Sequence, residues 1–326
     1  MNAVDARTRL SIVLGPHGQV ADIRSGACPV DGVDLEFITV RRMPDAYREM
    51  VRTQPYDISE LAPTTYLMAL QAGAPITALP LPMTRRFRHA GLMRPVHGQA
   101  KAPKDLEGRR VGVRTNSLTA SVWTRGVLSD DFDVDLSSIT WVTEEPENVV
   151  SYSPPANVER LPEGRTLAGE LREGRLDAGM AGLAGLGDDP GVEVVDVVEG
   201  AAAKEADFFR RTGVYPLHGV IAVKNSVLEA HPGLARALFA AFVAARDAYW
   251  SRVESGEAAE AEDLRYLKLA DLVGDPLPYG LEENRTSLEA LVRYAERLGL
   301  VSAPPPIDQL FPDPRRADAP PTARWS

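Results

Sequence analysis

Two hydrophobic periods alternate along the chain, and together they predict an α/β protein. Leu10–Leu14 is a short apolar run and Val33–Thr39 has apolar residues at every second position, as strands do. Pro44–Thr53 and Thr64–Ala72 instead have the composition and the ends of helices. Because strands and helices keep alternating, mostly parallel pairing is expected. The other predicted strands are His89–Met93, Arg109–Arg114, Ile139–Thr143, Leu176–Met180 and Val192–Val198, and the other predicted helices of this part are Leu118–Leu128 and Thr166–Arg172.

The C-terminal third shifts toward helix. Apolar residues recur at helical spacing within Pro232–Tyr249. Thr286 and Glu289 have the spacing of a capping box, which predicts that a helix begins there and ends at Gly299. Residues 313–326 are rich in proline and are predicted to form a loose tail.

Two stretches rich in proline and glycine, Pro95–Pro103 and Phe209–Pro216, are interpreted as crossings between two lobes. The first lobe then comprises residues 1–100 and 210–312, and the second lobe comprises residues 104–208. A protein of this kind binds its ligand in the cleft between the lobes, near the carboxyl ends of strands. The expected architecture is therefore a two-lobed α/β molecule with two crossings and a ligand cleft.

Composition narrows the possible partners. The 326 residues are 44% hydrophobic and 25% charged, as in an ordinary globular protein. The formal net charge of −10 disfavours nucleic acid, because phosphates need a basic face. No apolar run approaches the roughly 20 residues of a membrane helix, and the opening segment lacks a signal-peptide pattern, so a cytoplasmic location is expected. Self-association is left open.

Several chemistries lack their motifs. Cys28 is the only cysteine, which excludes an internal disulfide and a thiolate metal cluster. The five histidines have no metal-ligand spacing, and there is no phosphate-binding loop, nucleophile elbow or dinucleotide fingerprint. Neither a metal nor an organic cofactor is predicted.

The segment TRRFRH, residues 84–89, has the most unusual local composition. Arg85 and Arg88 could hold carboxylates by bidentate hydrogen bonds. Phe87 offers a ring face, and His89 can exchange a proton near neutral pH. These residues suit an aromatic ligand that bears a carboxylate. The alternative, a solvated basic patch paired with surface acids, stays open.

A second segment, Asn116–Arg125, follows a predicted strand and begins a predicted helix. Asn116, Ser117 and Thr119 place polar groups beside free backbone N–H groups, which predicts an anion site. Ordinary capping of the helix is the alternative. Trp123 and Arg125, one turn later, would either flank a ligand or pack and pair within the protein.

Three further segments carry polar and aromatic side chains: Tyr56–Tyr66, Gly213–Gly219 and Asp275–Arg285. A loop carboxylate in the first segment can act as an acid or base, or it can cap a helix. The third segment would line a site or serve as a structural latch. The candidate residues are Glu60 in the first segment, Tyr215 and His218 in the second, and Tyr279, Asn284 and Arg285 in the third.

Taken in order, these segments resemble the 4,5-dihydroxyphthalate decarboxylase family, whose fold is similar to type II periplasmic solute-binding proteins. The resemblance runs from about Tyr56 to Phe311. The motifs that carry it are YDISEL (56–61), RRFRH (85–89), PKDLEGRRVGV (103–113), LTASVWTRGVL (118–128), LREGRLDA (171–178), FFRRTGVYP (208–216), PYGLEENR (278–285) and LFPD (310–313).

The resemblance implies a cytosolic enzyme that removes one carboxylate from 4,5-dihydroxyphthalate and gives protocatechuate, without a cofactor. It implies that Glu60, Arg88 and His89 are catalytic, with His89 transferring the proton. Arg85 and Arg88 would hold carboxylates, Thr119 and Arg125 would anchor the substrate from the second lobe, and Trp123 or Phe87 would flank the ring. The residues expected to contact the substrate are Arg85, Phe87, Asn116, Ser117, Thr119, Trp123, Arg125, His17, Tyr215, His218, Tyr279 and Arg285.

The chain departs from the family's pattern where ligand contacts are expected. Pro16-His17-Gly18 replaces an aromatic first loop, and Asn116-Ser117 replaces Tyr-Gln. His218 stands one place before the usual histidine position. These differences bear on the substrate more than on the fold. Two other functions stay open: a non-catalytic binding protein for a small aromatic carboxylate, and a sensor or biosynthetic enzyme of the same superfamily that acts on a menaquinone or thiamin precursor.

Overall fold

The computed structural model describes residues 7–316 and residue 325. The strands are β1 (Thr8–Val13), β2 (Val33–Phe37), β3 (Ile58–Leu61), β4 (Ile76–Leu79), β5 (Thr84–Arg85), β6 (Leu92–Pro95), β7 (Arg110–Val113), β8 (Thr140–Thr143), β9 (Val158–Arg160), β10 (Ala178–Met180), β11 (Val194–Asp196), β12 (Leu217–His218) and β13 (Val220–Lys224). The α-helices are α1 (Ala21–Ser25), α2 (Met43–Arg52), α3 (Pro63–Gln71), α4 (Thr119–Phe132), α5 (Leu167–Arg172), α6 (Ala201–Thr212), α7 (Asn225–Ala230), α8 (Leu234–Glu254), α9 (Ala261–Val273), α10 (Leu281–Arg297) and α11 (Ile307–Leu310).

The chain divides into two compact units, and unit 1 comprises residues 1–85, 217–288 and 305–326. Its sheet has the order β2-β1-β3-β13-β4. Strand β1 pairs in parallel with β2 and β3, whereas β13 pairs antiparallel with β3 and β4. Apolar side chains of the sheet, such as Ile12, Ile58 and Ile221, pack with the apolar face of α8 in one core. Parallel β1 and β3 therefore end at the same edge of this sheet.

Unit 2 comprises residues 86–216 and 289–304. Its sheet has the order β11-β6-β10-β7-β8-β9, in which β10, β7, β8 and β9 are parallel and β6 is antiparallel to β10 and β11. Val111, Val113 and Trp141 of the sheet share a core with Leu128 of α4. The loops after β7 and β8 consequently leave the same edge of this second sheet.

These boundaries differ from the predicted lobes in several places. Residues 210–216, predicted to belong to the first lobe, belong to unit 2. Unit 2 already begins at Arg86, because β6 pairs with strands of the second sheet. It also includes residues 289–304, where the ring of Tyr294 packs edge-on against Trp123 with centroids 5.7 Å apart. Neither pairing has a local sequence signal, since both join residues far apart in the chain.

The predicted capping box in the last long helix is wrong. Helix α10 begins at Leu281, so Thr286 lies inside it and does not cap it. The Gly280 N–H instead donates to the Pro80 carbonyl oxygen, 2.9 Å away, just before the helix. The acidic residues Glu282 and Glu283 occupy the first turn, where the helix dipole favours negative charge.

The first residues of the predicted tail are packed. Asp313 is buried and pairs with Arg315 at 3.0 Å, and Arg315 also pairs with Glu283 at 2.7 Å. The prediction of a loose tail is therefore wrong for residues 313–316, and residues 317–324 and 326 lie outside the described residues. Across 7–316, each helix is too short or too polar to cross a bilayer.

Candidate functional site

The edge of unit 1 where β1 and β3 end brings together His17 and Glu60. His17 lies in the loop after β1, and Glu60 lies near the end of β3. The two side chains meet with Nε2 of His17 2.8 Å from Oε2 of Glu60. Tyr47 of α2 donates from its hydroxyl to Oε1 of the same carboxylate at 2.8 Å. The structure thus assembles two of the predicted site residues, and it adds Tyr47.

Glu60 is a buried carboxylate with several donors. Besides Tyr47 and His17, the Gly15 N–H donates to Oε2 at 2.9 Å. Burial alone raises the pKa of Glu60, but His17 and the other donors outweigh burial and lower that pKa below its ordinary value. Glu60 is therefore ionised near neutral pH and provides a fixed negative charge next to His17.

The space beside Glu60 depends on Gly219, which stands before β13. Gly219 has φ +78°, and a Cβ at this position would lie 2.7 Å from Oε1 of Glu60. The preceding residue, His218, lies in β12 and pairs with Thr84 of β5. A side chain at position 219 would press on the carboxylate, so glycine is required here for both conformation and space.

The corresponding edge of unit 2 carries the predicted anion site. The loop between β7 and α4 presents the N–H groups of Asn116 and Ser117, and both donate to the carboxylate of Glu147, at 2.6 and 3.2 Å. Glu147 lies in the loop after β8. The hydroxyl of Tyr152, in the same loop, is 2.7 Å from Nδ2 of Asn116. An acidic side chain of the chain itself thus binds where an anion was predicted.

Arg125 of α4 is the buried cation of this edge. Its Nη1 donates to Oδ1 of Asn116 at 2.7 Å, and its guanidinium stacks on Trp141 with its carbon 3.9 Å from the ring centroid. Burial lowers the pKa of Arg125 to about 9, which leaves it charged near neutral pH. Its Nε and Nη2 are buried without a hydrogen-bond partner in the described part of the chain. These N–H groups can donate hydrogen bonds to the oxygen atoms of an anionic ligand.

The side chains of the segment 84–89 do not form a single cluster, because Arg85 belongs to unit 1 and residues 86–89 belong to unit 2. Arg85 pairs through β5 with Leu217 and donates from Nη1 to Oδ1 of Asn284, in unit 1. Phe87 belongs to unit 2, where its ring lies 5.2 Å from that of Tyr215 and 6.2 Å from that of Phe209. Phe87 and Tyr215 are buried, so they are part of an aromatic cluster.

His89 is packed within unit 2. Its Nε2 lies 3.0 Å from Oδ2 of Asp131, its ring lies 5.2 Å from Phe208, and its side chain is 0% exposed. Burial lowers the pKa of His89, and Asp131 offsets this only in part. Arg88 is half-buried, and its carbonyl oxygen accepts a 3.4 Å hydrogen bond from Thr124. The catalytic roles of Arg88 and His89 stay predictions.

The remaining predicted residues occupy structural positions. Trp123 and Thr119 are buried in α4, with Trp123 against Tyr294. Tyr279 is buried beside Arg246, whose guanidinium lies 5.4 Å from the ring centroid. Arg285 pairs with Glu282 and with Asp308, each at 2.7 Å, which matches the latch alternative for its segment.

Sequence reasoning missed Tyr47, Glu147, Tyr152 and Trp141. Each reaches its site from another element, so no local motif marks it. A partial signal existed for Glu147: an acidic stretch, EEPEN at 144–148, follows a predicted strand, and carboxyl ends of parallel strands meet at one edge.

Solved structures with the same fold show the class of protein. The desulfurization enzyme DSZB is 16% identical, with a TM-score of 0.53, over 94% of this chain and 96% of that chain. The periplasmic sulfonate-binding protein SsuA from Methylobacillus flagellatus is 12% identical, with a TM-score of 0.51, over 93% and 91%. A Candida albicans protein described as having the generic periplasmic binding protein fold is also 12% identical, with a TM-score of 0.51, over 91% and 92%. The expected two-lobed α/β class is confirmed: this is a protein of the periplasmic-binding-protein fold.

Sequence relatives define the family. The chain is 30% identical over 313 residues to 4,5-dihydroxyphthalate decarboxylase from Comamonas testosteroni, covering 91% of this chain and 94% of that protein. It is 33% identical over 180 residues to 4,5-dihydroxyphthalate decarboxylase from Pseudomonas putida, covering 53% of this chain and 69% of that protein. No family model matches the chain. The chain belongs to the 4,5-dihydroxyphthalate decarboxylase family, and the resemblance of its motifs is confirmed.

Proposed function

We propose that this protein decarboxylates 4,5-dihydroxyphthalate to protocatechuate. The observation that carries the proposal is the match to the Comamonas testosteroni decarboxylase, which spans 91% of this chain and 94% of that protein. A match of that extent includes most of both units. We also propose that the enzyme acts in the cytoplasm on a small aromatic carboxylate.

The substrate's own chemistry supports a reaction without a cofactor. Each carboxylate of 4,5-dihydroxyphthalate is para to a phenol, and ionisation of that phenol raises the electron density at the ring carbon that bears the carboxylate. An acid can then protonate this carbon, and carbon dioxide leaves. The protein must supply cations or N–H donors for the retained carboxylate, a base for the phenol and an acid for the ring carbon.

The described residues of each unit include groups of the kinds that this reaction requires. In unit 2, Arg125 has two buried donor atoms without a partner among residues 7–316, and the N–H groups of Asn116 and Ser117 already hold a carboxylate. These groups suit the retained carboxylate. In unit 1, His17 and Glu60 form a pair that suits proton transfer. Arg88 is proposed as a second carboxylate contact.

The test is to incubate the purified protein with 4,5-dihydroxyphthalate and to quantify protocatechuate and carbon dioxide by chromatography. Arg88→Ala is assayed beside the wild-type protein, and loss of turnover in this variant supports its place in the site. A rise in melting temperature without turnover would instead indicate a binding protein. Absence of both responses would reject this substrate.

A further inference from the structure

The two nitrogen atoms of His17 have different environments. Nε2 is held 2.8 Å from the buried Glu60 carboxylate, whereas Nδ1 has no hydrogen-bond partner in residues 7–316. The side chain is 21% exposed, and that of Glu60 is 5% exposed. One nitrogen therefore fixes the ring, and the rest of the imidazole stays accessible from the edge of unit 1.

We propose that His17 is the proton donor to the ring carbon from which carbon dioxide leaves, and that Glu60 is its positioning residue. This assignment rests on the proposed decarboxylation. It changes the role expected for His17, which was predicted to contact the substrate, and it gives the proton transfer expected of His89 to a different histidine.

Glu60 itself cannot serve as the donor. Its two oxygen atoms accept hydrogen bonds from the Gly15 N–H, His17 and Tyr47, and such a set stabilises the ionised carboxylate. A carboxylate held in this way orients the neighbouring imidazole and favours its protonated form. The arrangement is that of a buried acid supporting a histidine that performs the proton transfer.

The charges that face His17 have both signs. Burial and Arg24 lower the pKa of His17, while Glu60 and, more weakly, Glu262 raise it. The carboxylates prevail, and the pKa of His17 is raised above its ordinary value. The imidazolium form therefore persists to a higher pH than it would in a free histidine.

His89 also has one nitrogen on a carboxylate, but it differs from His17 in its exposure and in the direction of its pKa shift. Its side chain is fully buried between Asp131 and the rings of Phe208 and Phe132, and burial lowers its pKa. His17 is 21% exposed and the side chain of His89 is 0% exposed, so His17 is the histidine that a reacting carbon can approach without rearrangement of the surrounding side chains.

The step balances without a further reactant. With the phenol para to this carbon ionised, the proton on Nδ1 of His17 passes to the ring carbon. The new C–H bond takes a π electron pair of the ring, and the phenolate oxygen becomes a carbonyl oxygen. The bond between that carbon and the carboxylate carbon then breaks, its electron pair restores the aromatic ring, and carbon dioxide leaves. A proton from the solvent restores the imidazolium of His17, so that each turnover consumes one proton.

The first experiment compares His17→Gln with His97→Gln, which makes the same change at an exposed histidine outside the site. General acid catalysis contributes about 100-fold or more, so we expect kcat of His17→Gln to fall by about that factor with KM changed less than about threefold. His97→Gln should keep wild-type kinetics. Melting temperatures verify that both variants fold. A His17→Gln kcat within about threefold of wild type would overturn the assignment.

The second experiment measures the pH profile of kcat for Glu60→Gln. Because the donor must be protonated, kcat falls above its pKa, and removal of the Glu60 charge should move this alkaline limb down by about one pH unit or more. A uniform loss of kcat with an unmoved limb would show that Glu60 is merely structural and would overturn its positioning role.

The two proposals fail in different ways. Absence of turnover by the wild-type protein overturns the proposed function and this assignment with it. Wild-type turnover that survives His17→Gln overturns the assignment of His17 alone.

Discussion

The two units bury opposite charges at equivalent edges of their sheets. In unit 1 the buried charge is the Glu60 carboxylate, and it is satisfied by Gly15 and His17 of the loop after β1 and by Tyr47 of α2. In unit 2 it is the Arg125 guanidinium, and two of its three nitrogen atoms have no hydrogen-bond partner in the described chain. At the edge of unit 1, the protein supplies donors to both oxygen atoms of the buried carboxylate. At the edge of unit 2, the described residues supply no acceptors for two nitrogen atoms of the buried guanidinium.

This difference indicates that Glu60 and Arg125 have different roles. A carboxylate whose partners are all provided by the protein can hold a titratable neighbour in place, as Glu60 holds His17. A buried guanidinium with unused donors is stabilised by an anionic ligand, because burial of an unpaired charge is costly. We therefore expect changes in unit 1 to affect mainly kcat, and changes in unit 2 to affect mainly binding.

The largest effect is expected from Arg125→Met, which removes the charge and keeps most of the buried volume. Loss of a buried carboxylate partner costs several kcal/mol, so kcat/KM should fall by about 100-fold or more. The matched control is Arg160→Met, at an exposed arginine of the same unit. Steady-state kinetics of both variants test the prediction. Near-normal kcat/KM for Arg125→Met would remove Arg125 from the substrate site.

The next largest effect is expected from a substitution that fills the space beside Glu60. Gly219→Ala forces a Cβ toward Oε1 of Glu60 at a positive φ, and we expect a loss of about 1–3 kcal/mol of unfolding free energy together with a lower kcat. Gly73→Ala is the control, since Gly73 has φ +83° and open space around its Cβ position. Urea unfolding should show a larger loss for Gly219→Ala. Equal losses would mean that contact with Glu60 adds nothing.

A smaller effect is expected from Glu147→Gln. The carboxylate of Glu147 competes with a ligand anion for the N–H groups of Asn116 and Ser117, and a neutral amide is a weaker acceptor. KM should therefore fall by about threefold to tenfold. Glu145→Gln makes the same charge change two residues earlier and should leave KM unchanged. An unaltered or higher KM for Glu147→Gln would contradict the idea of competition.

The smallest effect is the pH dependence of stability. The pKa of Glu60 is lowered, so its contribution is present above its unfolded value and is lost as pH falls through the folded value. The pKa of His17 is raised, so its contribution is complete below about pH 6.5 and is lost as pH rises through the folded value. The melting temperature of wild type minus that of His17→Gln should thus decline with rising pH. A constant difference would contradict the ion pair.

Helices and strands with a clear hydrophobic periodicity were predictable from the sequence. Contacts between residues far apart in the sequence were not. Strand β7 and helix α4 lie within about four residues of their predicted ends. Strand β13 was missed because it is central and flanked by strands on both sides, so VIAVK shows no alternation of polar and apolar residues. Helix α10 was placed too late because a good capping pattern occurs inside it.

The candidate site residues were likewise predictable only where they are close together in the sequence. Asn116, Ser117 and Arg125 were predictable as a group, because a strand end, a helix start and a helical turn bring them together. The meeting of His17 with Glu60 depends on the parallel pairing of β1 and β3, which no local pattern specifies. Arg285 looked like a ligand contact, yet acids at positions 282 and 308 pair with it on the surface.

The most direct test of the central claim is to run the reaction of wild-type protein with 4,5-dihydroxyphthalate in deuterated water and to examine the product by NMR and mass spectrometry. Decarboxylation with protonation of the ring carbon predicts protocatechuate that carries one deuterium, at the position ortho to the retained carboxylate and para to a phenol. Absence of protocatechuate, or a product without deuterium at that carbon, would contradict the account.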